Sequence, residues 1–205
     1  MSVSDQDFYR SCPCPARSPW GAIQTKSELA PGIWSVSTAG HGGIKLSRER
    51  NAAVPAYMRS EGGWYEEDCQ WAIAAVVHPI GFQRKCPAED RPDRTEWDIA
   101  NETLRNWYPD EYEQWAGVHL VKGESFIRDQ RNHEADNVDN FVTTSAWGSW
   151  APWVPKGMVG VSAVRKSDGA RKEFLVPADE YNERAAGVGF VIDLSRHQET
   201  KVELP

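Results

Sequence analysis

The order of apolar and polar residues predicts mainly helices in the N-terminal part of the chain and mainly strands in the C-terminal part. The run Trp64–Val77 has acidic residues near its start and an almost wholly apolar second half. Acids favour the start of a helix and a continuous apolar surface favours burial, so we predict a central helix here. The helix should end at His78, because a proline follows. We expect Trp71, in the middle of the run, to be largely buried.

Further helices are predicted from capping residues and from the spacing of apolar positions. Ser47 is a candidate N-cap for a short early helix. Thr95 is a candidate N-cap for a helix over Glu96–Trp107, whose apolar residues recur on one face. Shorter helices are predicted over Asp110–Trp115 and from Glu124 to about His133.

Strands are predicted where β-favouring residues alternate with polar ones. A short extended segment at 32–37 precedes the glycine-rich turn Gly40–Gly43. Later in the chain, β-favouring runs flank Asp168 and Gly169, and Asp-Gly between two such runs is a strong hairpin signal. The strands predicted in the C-terminal part are 141–146, 157–164, 170–176 and 188–192.

These elements predict an α+β fold in which an N-terminal helical part packs on a C-terminal antiparallel sheet. A sheet of this kind needs helices to cover one of its faces. Residues 1–18 are rich in Ser, Pro, Cys and charged residues, and we predict a flexible leader there. Residues 19–205 contain no linker and no internal repeat, so we predict a single domain.

The balance of charges limits the classes of partner. The chain has 30 acidic and 23 basic residues, a formal net charge of −7. Broad binding to nucleic acids is therefore not expected, because their phosphates are bound mainly by Lys and Arg. An acidic protein suits docking on a basic, nucleic-acid-binding protein, and it equally suits solubility alone. No segment resembles a signal peptide or a membrane span, so we expect a cytoplasmic protein that does not bind membranes.

The cysteine and histidine spacing does not predict a metal site. The four cysteines, Cys12, Cys14, Cys69 and Cys86, form no CxxC pair, and no two histidines have an i, i+4 spacing. We therefore expect no metal and no cofactor, and a protein with reduced thiols.

His41 lies between glycines, in a turn whose backbone can approach a ligand closely. One interpretation is a general base, with Glu67 or Asp68 orienting it or a substrate. The other is a turn that needs glycine and tolerates a polar residue. Glu66, Glu67 and Asp68 are consecutive, so in a helix at most two of them face one point, and they equally fit stabilisation of a helix start. A nucleophilic pair of Cys69 with His41 is a further alternative.

The chain has ten tryptophans, and three of them recur at intervals of three residues in one proline-rich stretch. In an irregular loop some of these side chains would be exposed and would anchor a partner, or they would close the core. The candidate binding residues are therefore Trp147, Trp150 and Trp153, together with the acidic Glu66.

Several long motifs point to one family. They are SPWG at 18–21, STAGHGGIKLS at 37–47, GGWYEEDCQWA at 62–72, WGSWAPWVPKGMVGV at 147–161 and FLVPADEY at 174–181. Together they resemble an uncharacterised family of phage- and plasmid-encoded proteins known only as a domain of unknown function, from Pro19 to about Leu194. The family offers no established activity and no catalytic residues to transfer. The resemblance implies a small accessory protein of a mobile element.

The sequence thus leads to two predictions of function. The favoured one is a binding protein of a phage or plasmid that inhibits a host defence system, such as CRISPR or restriction, by docking on a host or phage protein complex. The alternative is a small hydrolase-type enzyme, with a site formed by the His41 turn and the helix start at Glu66–Cys69.

Overall fold

The structure is a computed structural model that describes residues 10–86, 91–185 and 187–201. Contacts within the chain divide it between Ser125 and Phe126 into two compact units, unit 1 before this boundary and unit 2 after it. The sequence predicts a single domain over residues 19–205, and the division between the units falls inside that range.

Unit 1 contains a two-stranded hairpin and a four-stranded antiparallel sheet. The hairpin pairs β1 (Arg17–Ser18) with β2 (Gly21–Ala22). The sheet has the order β3-β4-β5-β6, formed by β3 (Thr25–Ala30), β4 (Ile33–Ser37), β5 (Gly42–Leu46) and β6 (Trp64–Glu66). The helices are α1 (Arg48–Ala53), α2 (Trp71–Val77), α3 (Glu96–Trp107) and α4 (Pro109–Ala116), with 3-10 turns at Glu61–Gly63 and Pro79–Gly81.

This sheet corrects the prediction that the N-terminal part is helical. The mixture of helices and antiparallel sheet is confirmed, but sheets occur in both halves of the chain. The predicted central helix begins at Trp71 instead of Trp64, because residues 64–66 are extended and pair with β5. Gly62 and Gly63, both at positive φ, turn the chain into this pairing, a conformation that other residues rarely adopt.

The core of unit 1 lies between the inner face of the sheet and helices α2 and α3. Cross-strand neighbours Ile33 and Leu46 are fully buried there, as is Tyr65 of β6. Helix α2 buries five consecutive residues, from Ala72 to Val76. Trp71, expected to be largely buried, is only partly buried, because it is the first residue of α2 and packs at the edge of the core.

The outer face of the sheet is covered by the N-terminal segment of the described chain. The indole Nε1 of Trp34 donates to the carbonyl of Cys12 at 3.0 Å, and the ring of Trp20 packs edge-on against Trp64, with centroids 5.7 Å apart. The hydroxyl of Ser11 also donates to Glu28 of β3. Of the predicted leader, residues 1–9 lie outside the described residues, and part of residues 10–18 makes these contacts.

The predicted helix caps are present. The amide of Arg50 donates to the Ser47 hydroxyl at 3.2 Å at the start of α1. Thr95 and Asp98 form a reciprocal capping box at the start of α3, which runs over the predicted residues. These hydrogen bonds from Thr95 lower the pKa of the Asp98 carboxyl.

Unit 2 is a second four-stranded antiparallel sheet with two helices. The sheet has the order β10-β9-β8-β7, formed by β7 (Phe141–Trp147), β8 (Met158–Arg165), β9 (Arg171–Pro177) and β10 (Gln198–Thr200). The helices are α5 (Phe126–Asp136) and α6 (Ala178–Asn182).

The predicted hairpin at Asp168 and Gly169 joins β8 to β9. Arg165 donates two hydrogen bonds to the Asp168 carboxylate, and they lower the pKa of Asp168 to about 2. Of the strand predicted at 188–192, only a single antiparallel bridge from Val191 to β7 forms, with a backbone hydrogen bond on either side of it. The last strand is instead β10. Among the described residues of both units, no helix is long and apolar enough to cross a membrane.

Candidate functional site

His41 lies at the tip of the hairpin between β4 and β5. The turn is closed by Thr38, whose amide donates to the carbonyl of His41 at 2.7 Å and whose hydroxyl accepts from the amide of His41 at 3.2 Å. These bonds hold the backbone, while the His41 side chain is largely exposed. The imidazole is therefore available to groups that approach the tip.

The acidic residues reach His41 through the pairing of β6 with β5. Glu66 is the register partner of Gly43, so the end of β6 lies beside the first residues of β5. The carboxylate Oε1 of the next residue, Glu67, lies 3.9 Å from Nδ1 of His41. Three residues each place one potential ligand atom in this region, and the three atoms lie within 4.8 Å of one another. The residues are His41, Glu66 and Glu67.

Glu66 has an unusual environment for a carboxylate. Its Oε2 accepts from the amide of Asp68 at 2.8 Å. Its Oε1 is shielded from solvent and has no hydrogen-bond partner among the described residues. The Asp68 side chain, predicted as the alternative to Glu67 for orienting His41 or a substrate, is exposed and is not part of the group with His41.

Cys69 does not have the properties of a nucleophile. Burial, followed by the charges of Asp68 and Glu66, raises the pKa of its thiol. A raised pKa keeps the sulfur protonated near neutral pH, and the thiolate is the reactive form. The raised pKa of the Cys69 thiol therefore does not support the alternative of a nucleophilic Cys69–His41 pair.

A pocket of about 610 Å³ lies beside Glu67, on the inner face of the sheet where helix α2 no longer covers it. Four hydroxyl residues line it as cross-strand pairs, while Trp71 and an ion pair provide the other walls. Such a mixture of polar groups and an aromatic wall suits a polar ligand of moderate size. The hydroxyl residues are Thr25, Ser27, Ser35 and Ser37. The ion pair joins Arg84 to Glu96.

Unit 2 contains a buried polar cluster that was not predicted from the sequence. The side chain of His197 is 1% exposed, and its Nε2 lies 3.3 Å from Oε2 of Glu180. Its Nδ1 accepts from the amide of Asp193 at 3.0 Å, so Nε2 carries the proton and donates to Glu180. Arg196 bridges the carboxylates of Glu180 and Asp193.

This cluster resembles a catalytic triad in composition but not in geometry. The hydroxyl of Ser195 donates to Oδ1 of Asp193 at 2.6 Å and is not a partner of His197. The donors Ser195 and Arg196 hold the pKa of Asp193 far below its usual range. The cluster therefore fixes the segment before β10 on helix α6. The only sequence signal for it is the dense polar run from Asp193 to His197.

The three candidate tryptophans of unit 2 have different environments. Trp147 and Trp153 pack against each other with ring centroids 5.7 Å apart. The ring of Trp153 also lies over Gly160, where any side chain would overlap it. Trp150, in the loop between β7 and β8, is 76% exposed. Glu66, the fourth candidate binding residue, lies in unit 1.

Comparison with known proteins gives one match. The sequence profile of a family described as a domain of unknown function, DUF7007, matches residues 13–138. This range covers most of unit 1 and extends through helix α5. No curated protein and no solved structure matches the chain.

Proposed function

Because the chain belongs to the DUF7007 family, whose function is unknown, we propose its function from its surface: it binds a partner protein through Trp150. The exposure of this large aromatic side chain is the observation that supports the proposal. In the wider proposal, the chain is an accessory protein of a phage or plasmid. It blocks a host defence complex, such as a CRISPR or restriction complex.

The loop presents Trp150 on a fixed support. Its neighbours Ala151 and Val154 are buried, and their amides donate to the carbonyls of Gly148 and Ala151 at 3.0 and 2.9 Å. Aromatic residues dominate the energy of many interfaces, since a rigid ring buries a large area at a small cost in conformational entropy. Trp150 thus has the chemistry and the placement of an interface anchor.

The charge of the chain favours a basic partner. A net charge of −7 accelerates association with a positively charged surface at low salt, as in a nucleic-acid-binding complex. An aromatic anchor acts mainly on dissociation, and its contribution resists salt. The proposal therefore predicts an association rate that falls with salt and a dissociation rate that depends on Trp150.

Trp150→Ala is expected to weaken partner binding at least about 30-fold, which is the equivalent of about 2 kcal/mol for a central anchor. The melting temperature should stay the same, because the side chain is mostly in solvent. The measurement is a pull-down from host lysate at low and high salt, followed by interferometry with the purified partner. Leu194→Ala is the matched control, since Leu194 is a 61% exposed apolar residue of the same unit.

Two outcomes would contradict the binding proposal. One is equal loss of binding in Trp150→Ala and Leu194→Ala, which would show that no specific anchor exists. The other is the recovery of no protein that binds the wild type with measurable affinity at either salt concentration.

A second candidate function is favoured by the juxtaposition of His41 with Glu67 at the edge of the pocket. We propose as this alternative a hydrolase-type enzyme in which His41 is the general base and Glu67 orients it. Turnover in a panel of chromogenic esters, amides and phosphate esters should disappear in His41→Ala and persist in Leu194→Ala. If the wild type hydrolyses none of the three substrate classes, the enzyme proposal is rejected. If it hydrolyses one of them and no partner protein is recovered, the enzyme proposal replaces the binding proposal.

A further inference from the structure

We propose that His41, Glu66 and Glu67 form a binding site for a first-row transition-metal dication of the Mn²⁺ to Zn²⁺ group. Each residue supplies one donor atom, and the three atoms lie within 4.8 Å of one another. The inference is independent of partner binding by Trp150, which lies in the other unit.

The geometry needs only small side-chain movements to accept an ion. Zinc binds nitrogen and oxygen donors at about 2.0–2.2 Å, so the donors of a tetrahedral site are roughly 3.4 Å apart. The separation of His41 Nδ1 and Glu67 Oε1 is 3.9 Å. The side chains of His41 and Glu67 are 60% and 48% exposed, while the backbones that place them are fixed by the β4–β5 turn and by the pairing of β6.

The environment of Glu66 gives an independent indication of a cation. Its Oε1 is shielded from solvent and, within the described chain, has no hydrogen-bond donor. A buried carboxylate oxygen without a donor is costly, whereas a bound cation would satisfy it directly. The other oxygen of Glu66 is held by the amide of Asp68, so the carboxylate is already oriented.

Gly42 keeps space for the Glu67 carboxylate. A Cβ added at Gly42 would overlap Oε2 of Glu67. The carboxylate therefore lies directly against the glycine backbone, next in sequence to His41. A side chain at this position would move the carboxylate away from the imidazole, and it would also press on the carbonyl of Val36 in β4, 3.0 Å from the added Cβ.

The donor set identifies the class of ion. Mg²⁺ and Ca²⁺ prefer ligand sets made only of oxygen, whereas one imidazole with two carboxylates suits Zn²⁺, Mn²⁺ or Fe²⁺. Three protein ligands are also the number found in catalytic zinc sites, which keep a further position open for water or substrate. Glu67 lines the 610 Å³ pocket as well, so a ligand in that pocket would lie close to the ion.

The test is isothermal titration calorimetry on the full chain after treatment with a chelator. We expect Zn²⁺ or Mn²⁺ to bind at a ratio of one to one, at least about tenfold more tightly than Mg²⁺ or Ca²⁺. His41→Asn and Glu66→Gln should each weaken binding at least about tenfold, since even the loss of a residue that only supports a ligand costs about 10–100-fold. Gly42→Ala should weaken binding similarly.

His119→Asn is the matched control. His119 Nδ1 also lies 3.9 Å from a glutamate oxygen, Oε1 of Glu113. Within the described chain, no third His, Cys, Asp or Glu completes a group of metal ligands with that pair. This variant should bind the ion like the wild type. Co²⁺ gives a second readout, because its visible absorption should appear in the wild type and be lost in His41→Asn.

Three results would overturn the proposal. The first is the absence of one-to-one binding for all four ions. The second is an equal loss of affinity in His41→Asn and His119→Asn, which would indicate general surface binding. The third is unchanged affinity in Glu66→Gln together with an unchanged melting temperature. Partner capture by Trp150 is measured separately, so failure of one proposal leaves the other intact.

Discussion

Replacing Tyr65 by alanine is expected to lower the free energy of unfolding by about 3–5 kcal/mol, the range for deleting a large core aromatic residue. Tyr65 is 0% exposed and lies in the middle of β6, opposite Ile44. Its hydroxyl donates to Oδ1 of Asn51 at 2.7 Å and accepts from the amide of Ser60 at 3.2 Å. The side chain therefore joins the sheet to α1 and to the segment after it.

Urea unfolding followed by circular dichroism measures this effect, and Tyr65→Phe separates the ring from the hydroxyl. The phenylalanine variant keeps the packing but leaves Asn51 and the amide of Ser60 without their partner, which costs about 1–3 kcal/mol. If Tyr65→Ala lost no more stability than Tyr65→Phe, the ring of Tyr65 would not contribute to the core of unit 1.

Tyr65 also predicts a loss of stability at alkaline pH. Burial raises the pKa of its phenol, and the hydrogen bond from Ser60 only partly offsets this. The unfolded chain ionises near the usual value of about 10, before the folded chain does. The contribution to stability is therefore complete below pH 10 and is lost as the pH rises towards the folded pKa. The same measurement at pH 8 and pH 11 should show a smaller decrease for Tyr65→Phe than for the wild type.

The parts of the fold that the sequence predicted correctly depend on local chemistry. Thr95 caps α3 through residues three positions away, and Asp168 closes its hairpin through Arg165 and Ala170. In both cases the residues that determine the structure are close together in sequence. Their side chains make the stabilising hydrogen bonds without help from the rest of the chain.

The predicted extended segment at 32–37 matches β4, but the rest of the first sheet was missed because its strands depend on distant contacts. Strand β3 is polar along most of its length, and its outer face is covered by a segment with little regular structure. Strand β6 follows two glycines and has the acids typical of a helix start. Only the pairing of β6 with β5, about twenty residues earlier in the chain, makes this segment extended. Such pairing has no local signal.

The candidate site was only partly predictable, because it too depends on the pairing of strands that are distant in sequence. The composition of the His41 turn and of the Glu66–Asp68 run suggested that they meet, and the β5–β6 pairing brings them together. Glu67 and Asp68 both lie in the turn after β6, and only Glu67 joins the group with His41. The pocket was not predictable, because its hydroxyl residues come from two strands and its other walls from α2, α3 and the segment between them.

Arg50→Ala is expected to lower the free energy of unfolding by about 3–5 kcal/mol, although a charged residue is usually removed at little cost. Arg50 is 0% exposed. Its Nε donates to the carbonyl of Pro31 at 3.0 Å, and its Nη1 donates to Nδ1 of His78 at 3.4 Å. The Nε2 of His78 donates in return to the carbonyl of Arg50 at 3.0 Å, so His78 is neutral with its proton on Nε2.

Removing the guanidinium would take a donor away from the buried His78 and from the partly buried carbonyl of Pro31, and it would leave a cavity at the end of α2. Each of these changes contributes to the expected loss. Arg50→Lys should recover only part of it, because one ammonium cannot reproduce the planar set of donors. Arg48→Ala, an exposed position on the same helix, is the control and should change the stability by less than about 0.5 kcal/mol. Equal stability of Arg48→Ala and Arg50→Ala in urea unfolding would show that the Arg50–His78 contact does not stabilise unit 1.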